Sequence, residues 1–438
     1  MQLMRFLRDR SGSIAPLIAG AAIPIVGLTG AAVDYSRANS LKASLQSALD
    51  STALALTKDA ATAAPDQFSA SAAAYFNGIF KRSDAQNLKV DAKYIGNPTP
   101  TVVVNASATI KTMFLNLPGI GIPQIEVGAS ATTSWSNARL RVALALDNTL
   151  SMRDNEKMVA LKTATHSLLN QLQAAASQPG DVYVSIIPFN KDVNVGPDNK
   201  TAAWIDWSDW ETKNGSCSKN SYKNQNDCTK AGKTWTAASH DNWNGCVTDR
   251  NQNDDVTNSA PPAGSKFIAE QYTANGGCPV AMIPMSQDWT ALHARVDEMT
   301  PAGTTNQTIG LAWAWHSLTR TDPLNTPPKD PNYKYKDVII LLTDGMNTEN
   351  RWNSFQMPTN SAVDKRTQKA CDNLKATEIT VYTVLVIEGS ATLLEDCAWD
   401  PDNPSASAKK FFSLTKADQI ITTFNAIGGQ LAKLHLAK

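Results

Sequence analysis

Three segments far apart in the chain carry oxygen donors of the kind that hold a hard cation. The first is "RVALALDNTLSM", Arg141 to Met152, where an apolar run stops at Asp147 and hydroxyls follow at Thr149 and Ser151. The second is "TPAGTTNQTIGLAWAW", a hydroxyl-rich loop that holds Thr304 and Thr305 and opens into an apolar run. The third is "DVIILLTDG", where another apolar run ends at Asp344. Two carboxylates with several hydroxyls, and no His or Cys, make an all-oxygen donor set. Such a set suits Mg²⁺ before Ca²⁺ or Mn²⁺. The competing reading is that the hydroxyls only cap the helices that follow them.

These residues can meet only if the elements that carry them lie side by side. "LRVALALD", "DVYVSIIPFN", "KDVIILLTDG" and "ITVYTVLVIEG" read as buried strands. "NEKMVALKTATHSLLNQLQAAA", "WTALHARVDEM", "TIGLAWAWHSL", "AVDKRTQKACDNLKA" and "ADQIITTFNAIGGQLAKLHL" read as helices, with Ser286 as the expected cap of the second. Strands alternating with helices predict a mostly parallel sheet covered on both faces. Ligands of such sheets collect at the carboxyl ends of the strands, which puts Asp147 and Asp344 on one rim.

The order D-x-T-x-S, then a hydroxyl loop, then T-D-G after a strand resembles the von Willebrand factor A domain and its metal-ion-dependent adhesion site. The resemblance implies an α/β, doubly wound, mostly parallel sheet. It implies a metal held by Asp147, Thr149, Ser151, Thr305 and Asp344, with Mg²⁺ preferred and Ca²⁺ or Mn²⁺ as alternatives. It also implies that the open coordination position takes an acidic residue from a protein partner. Thr304 is the alternative loop ligand, and spacing to "NQTIGL" favours Thr305. Leu150 stands where that family carries a small residue, which implies a crowded metal position.

The rest of the chain frames this region. Its 438 residues exceed one typical core. Forty basic and forty acidic residues balance, with no long charged block, so nucleic acid is not an expected partner. Arg5, Arg8 and Arg10 precede an uncharged run, Ser11 to Val33, long enough to span a bilayer at about 1.5 Å per residue. The arginines predict a cytoplasmic N-terminus and an exported bulk. A cleaved signal peptide is the alternative, and it places the bulk outside the cytoplasm as well.

The expected organisation is a cytoplasmic tip and transmembrane anchor over 1–33, then a small α+β stem over 34–138. An A-type domain follows over 139–438. Within that domain, residues of about 196–278 are rich in Asn, Asp, Lys and Trp and hold four of the six cysteines. They read as a disulfide-rich insertion, with its Trp rings buried and pairs at Cys217–Cys228 and Cys246–Cys278; Cys371–Cys397 is the expected third pair, outside it. Residues Tyr35, Leu41, Leu45, Ala48, Leu49, Thr52, Ala53 and Leu56 form the expected packed face of the stem helix. Over nearly its full length the chain resembles TadG-like proteins of tight-adherence (Flp) pili. That resemblance implies a non-enzymatic protein in the bacterial inner membrane or at the cell surface, with pilus or secretion components as partners. A structural minor pilin with a vestigial rim, and a metal-dependent hydrolase, are the alternatives.

Other motifs fail on spacing. "AGKT" at Ala231–Thr234 has Asp227 where a phosphate-binding loop needs Gly. "DRNQNDD" from Asp249 lacks the Gly and Glu of a calcium loop. The five histidines show no paired zinc spacing, so surface or capping roles are expected of them.

Overall fold

The computed structural model describes residues 14–57, 65–95, 101–116, 121–134, 138–176, 178–270, 277–331 and 333–436. It divides into two compact units, Met1–Asn137 with Ala437–Lys438, and Ala138–Leu436.

In the first unit, helices α1 (Ile14–Leu56) and α2 (Pro65–Ile79) pack on an antiparallel sheet of β1 (Ala85–Ile95), β2 (Thr101–Lys111) and β3 (Gln124–Ser134). Leu41, Leu45, Leu49, Ala53 and Leu56 of α1 meet Phe68, Ala72 and Phe76 of α2 and Val102, Val104 and Ile110 of β2 in one apolar core. The packed face differs from expectation at its start: Tyr35 is exposed and Asp34 is buried. Asp34 continues the stripe of Ala38, Leu41 and Leu45 at helical spacing. Its carboxylate accepts the backbone N–H groups of Met113, Phe114 and Leu115 at 2.9, 2.8 and 2.8 Å. Three charge-assisted bonds make a buried carboxylate tolerable where an apolar residue was expected. The sequence signal for α2 and β1 was weak, since both are rich in Ala and polar residues. Among the described residues no helix is long and apolar enough to cross a membrane. The expected cytoplasmic tip and the first residues of the expected anchor, Ser11 to Ser13, lie outside the described residues.

The second unit is mixed α/β with a central, mostly parallel sheet. Its parallel part runs in the order β15 (Phe411–Leu414), β14 (Thr380–Val386), β13 (Tyr335–Thr343), β4 (Arg139–Asp147), β5 (Val182–Phe189). β4 lies centrally, paired from Arg139–Tyr335 through Leu146–Leu342 on one side and from Leu140–Val182 through Asp147–Phe189 on the other. Its near-continuous apolar run is what a strand buried on both faces needs. Alternation sends Val142, Leu144 and Leu146 to one face, where α3 (Lys157–Ala175) and α8 (Gln419–Leu436) cover them. Ala143 and Ala145 face the other side. Their small size lets α5 (Gln307–Ser317) lie close, with Trp313 fully buried. Gly310 belongs to the same approach: a Cβ there would sit 2.6 Å from the Phe189 ring.

The helix α4 (Trp289–Glu298) is capped by Asp288, whose Oδ1 accepts the Ala291 N–H at 3.0 Å. Ser286, the expected cap, ends β12 (Ile283–Ser286) and accepts the Asp288 N–H, two residues before the cap position. The helices α6 (Ser361–Lys375) and α7 (Ala391–Cys397) flank the far strands.

The insertion extends the sheet past β5. β6 (Val193–Asn194), β10 (Cys246–Thr248), β11 (Phe267–Ala269) and β7 (Ile205–Asp206) follow in that order, and β8 (Gly215–Cys217) pairs with β9 (Trp235–Ala237). All three expected disulfides are present. Trp204, Trp210 and Trp243 are buried, as expected, and Trp207 stacks on His240 with ring centroids 3.7 Å apart. Trp204 and Phe267 pack against Trp313 of α5 at 5.9 and 4.5 Å. The insertion therefore shares the core of the main sheet. Large rings at scattered positions do the packing, which is why no apolar period is visible in its sequence.

Candidate functional site

The rim at the carboxyl ends of β4 and β13 gathers the residues singled out by sequence. Asp147 is the last residue of β4, and Asp344 immediately follows β13. Asp147 is fully buried; its Oδ1 accepts the Thr149 N–H at 2.8 Å and its Oδ2 the Thr343 hydroxyl at 2.6 Å. The Ser151 hydroxyl donates to Asp344 Oδ1 at 2.7 Å and lies 3.0 Å from Thr149 Oγ1. With the Ser151 proton committed to Asp344, Thr149 is the donor of that second bond.

Thr305 sits beside this network without a hydrogen bond into it among the described residues. A Cβ placed on Gly345 would lie 3.7 Å from both Thr305 Oγ1 and Ser151 Oγ, so the two hydroxyls flank one point. The backbone of Thr305 is fixed by Thr348, whose hydroxyl accepts its N–H and whose N–H donates to its carbonyl, both at 2.9 Å. Thr304 turns away and donates to Glu349 Oε2 at 2.9 Å. Gln307 and Asn347 clamp the same loop, through Gln307 Nε2 on the Gly345 carbonyl and the Gln307 N–H on Asn347 Oδ1.

Sequence reasoning missed one residue here, Lys157. Its ammonium donates to Asp344 Oδ2 at 2.6 Å, with side-chain exposures of 3% and 0%. The turn after Ser151 delivers it. Asn155 and Glu156 adopt left-handed conformations, at φ 54° and 57°, before α3 starts at Lys157. Two successive residues in that region cost roughly 1–2 kcal/mol each, which marks the turn as one held by its surroundings. A lysine at the first position of a helix carries no sequence signal for a rim ten residues upstream. Thr343 was visible in "LLTDG" as the residue before the acid.

Leu150 does not crowd the rim. Its backbone N–H bonds to the Gly303 carbonyl at 3.1 Å and its side chain is about half exposed. The crowding expected of it comes instead from Lys157. Ile387, at the end of β14, is also exposed, with φ 69°, a conformation that a β-branched residue rarely adopts.

The electrostatics follow from burial. Asp147 is raised from an ordinary 3.8 to about 7, first by desolvation and then by the charge of Asp344; the bonds from Thr149 and Thr343 offset part of this. Asp249 is likewise pushed up to about 7 by burial, but it is engaged by Asn306 and the Arg351 N–H rather than open to a cation. His316 departs from the expected surface role: it is fully buried in the shared core, where desolvation holds it well below its ordinary value and so neutral.

Two buried carboxylates and three hydroxyls converge on the rim, and a hard cation with oxygen ligands fits that donor set. The fit is limited to two acids: among the described residues no group of three or more His, Cys, Asp or Glu could hold a metal. Lys157 already neutralises one carboxylate charge.

Comparison with known proteins adds a family at the other end of the chain. Residues 12–63 match the family described as "Putative Flp pilus-assembly TadE/G-like". The N-terminus is TadE/G-like. No curated protein matches the chain. Among solved structures, the pilus adhesin SpaC from Lactobacillus rhamnosus GG aligns over 80% of this chain and 35% of its own, with 14% identity and a TM-score of 0.36. The proximal thread matrix protein 1 of mussel byssus, with a zinc-occupied MIDAS motif, aligns over 68% and 48%, with 11% identity and a TM-score of 0.35. The vWF domain of the type V pili tip protein Mfa5 from Porphyromonas gingivalis aligns over 67% and 95%, with 9% identity and a TM-score of 0.37. The chain thus spans less than half the length of the first two.

Proposed function

We propose that this TadE/G-like chain is a non-enzymatic, exported protein of pilus assembly or adhesion, whose second unit is a von Willebrand factor A-type domain. In this reading the apolar run Ser11–Val33 anchors it in the inner membrane with the bulk in the periplasm. The domain binds a protein partner through a divalent cation, Mg²⁺ before Ca²⁺ or Mn²⁺. The observation that carries the reading is the single network joining Asp147, Thr149, Ser151 and Asp344 at the rim, with the Thr305 hydroxyl beside it. When bound, the cation supplies an open position for a partner's carboxylate. The chain's own residues orient the donors: Thr343 aims Asp147, and Ser151 aims Asp344. Exposed Leu150 and Ile387 offer apolar contact next to the rim.

Asp147→Ala is expected to abolish both Mg²⁺ binding in calorimetry and cation-dependent capture of pilus components, with the fold retained by circular dichroism. Capture that survives this substitution and EDTA alike would sink the cation bridge.

A pH dependence follows. A cation needs Asp147 ionised, and its value near 7 means that protons compete below neutrality. Mg²⁺ affinity is expected to be flat above pH 7 and to fall about tenfold per pH unit below it, the slope of one displaced proton. Affinity that is constant between pH 5 and 7 would place Asp147 outside the binding step.

Lys157 favours a second reading. An ammonium fixed on Asp344 can stand in for a cation, leaving a structural minor pilin whose rim needs no metal. The substitution of Lys157 in the Discussion separates the two.

A further inference from the structure

The loop between β13 and α6 forms a cleft of about 460 Å³ that the rim does not use. Its walls include Trp352, Asn353, Ser354, Phe355, Gln356 and Ser361. That volume falls in the usual range for small-ligand sites, roughly 300–1,000 Å³. The composition is specific. Two exposed aromatic rings, Trp352 and Phe355, alternate with carboxamides and hydroxyls, and no charged side chain is among the described residues that line it.

Much of its hydrogen-bonding capacity is unspent. Among the described residues, the Gln356 carboxamide and the Ser354 and Ser361 hydroxyls make no side-chain bond. Asn353 uses only its amide nitrogen, donating to Asn350 Oδ1 at 2.9 Å. The backbone that presents these groups is held firmly. The N–H groups of Trp352 and Asn353 both donate to Asn350 Oδ1, at 3.1 and 2.9 Å. The Gln356 N–H bonds to the Thr348 carbonyl at 2.9 Å. Asn360 caps α6 and also donates to the Ser354 carbonyl at 3.1 Å. Rings and amides are therefore displayed on a braced loop, which lowers the ordering cost of binding.

We infer that this cleft binds a neutral saccharide. Sugar rings present apolar C–H faces that stack on Trp and Phe, and hydroxyls that both donate and accept. Side-chain amides and Ser hydroxyls, which also do both, match that pattern. A charged ligand would find no charged side chain on the walls; Arg351, whose guanidinium carbon lies 5.9 Å from the Trp352 ring centroid, is already engaged by the Asp249 carbonyl and Asn251 Oδ1. An apolar peptide would have to bury the free amides of the same five-residue stretch without partners, at about 1–3 kcal/mol each.

The test is calorimetric titration of the full chain with maltotriose, cellotriose and triacetylchitotriose, followed by an array of neutral oligosaccharides. The wild type is expected to bind at least one probe. Trp352→Ala and Gln356→Ala are each expected to weaken that binding about tenfold or more, with unchanged thermal unfolding because both side chains are exposed. Asp147→Ala and EDTA are expected to leave saccharide binding intact, so this proposal and the cation bridge fail independently. No binding by the wild type, equal binding by wild type and Trp352→Ala, or a Trp352→Ala defect confined to protein capture would each overturn the proposal.

Discussion

Lys157→Met is expected to destabilise the second unit by about 3–5 kcal/mol at pH 8 without divalent cation, the usual cost of stripping one partner from a buried ion pair. Asp344 would keep its Ser151 bond but lose the 2.6 Å ammonium contact, and Asp147 would remain beside it. Two routes should recover the loss. The first is acid. Asp147 titrates higher in the folded protein than its ordinary 3.8, so the folded state holds the extra proton. Stability then rises as pH falls from about 7 toward 4, and is lost as pH rises through 7. The second is Mg²⁺, which stabilises by RT ln(1 + [L]/Kd) if it binds only the folded state. With its internal competitor gone, Mg²⁺ is expected to bind Lys157→Met at least tenfold more tightly than wild type, about 1.4 kcal/mol. Urea unfolding at pH 5 and 8, with and without Mg²⁺, measures all of this. Rescue by acid but not by Mg²⁺ would favour the metal-free structural reading. Unchanged stability under every condition would mean that the ion pair contributes nothing.

Arg366→Met is expected to cost about 3–5 kcal/mol for the same class of reason, with a different local signature. Arg366 of α6 grips Asp255 of the insertion with Nε on Oδ2 at 2.9 Å and Nη2 on Oδ1. Asp255 is fully buried, and its carboxyl is raised by desolvation that Arg366 only partly offsets. Without the guanidinium that charge loses its hydrogen-bonded counterpart and keeps only the longer-range attraction of Arg250 and Lys369. The loss should appear first as faster hydrogen exchange across residues 249–265, where Arg250 is itself held by the carbonyls of Asp254, Thr257 and Ser259. Adding Asp255→Asn should restore much of the stability, because it removes the orphaned charge. Additive losses in the double variant would show that the two side chains do not act as a pair.

The two clamps differ in how far the sequence announced them. Asp344 was visible because an apolar run ends on it, and Asp147 for the same reason. Lys157 and Arg366 sit in ordinary helical sequence. Their partners lie 187 and 111 residues away, and a single basic residue at such a distance has no pattern to follow. The same holds for Asp34, which looked like the end of an apolar run and is in fact the buried start of the packed face of α1.

By itself the sequence determined what depends on local repetition and strand ends. The buried parallel strands are legible as continuous apolar runs, the covering helices as periodic ones, and the pairing of six cysteines by proximity. The candidate rim residues are legible because strands of this kind end at the ligand edge. Spacing to "NQTIGL" already favoured Thr305 over Thr304, and its hydroxyl lies beside the rim; tertiary structure alone decided that Leu150 is half exposed while a lysine fills the space against Asp344. It also decided that the insertion shares the main core through Trp204, Phe267 and Trp313. Those outcomes depend on where distant side chains meet in three dimensions, and burial makes each meeting consequential, since a buried charge or ring must find a partner that no local pattern specifies.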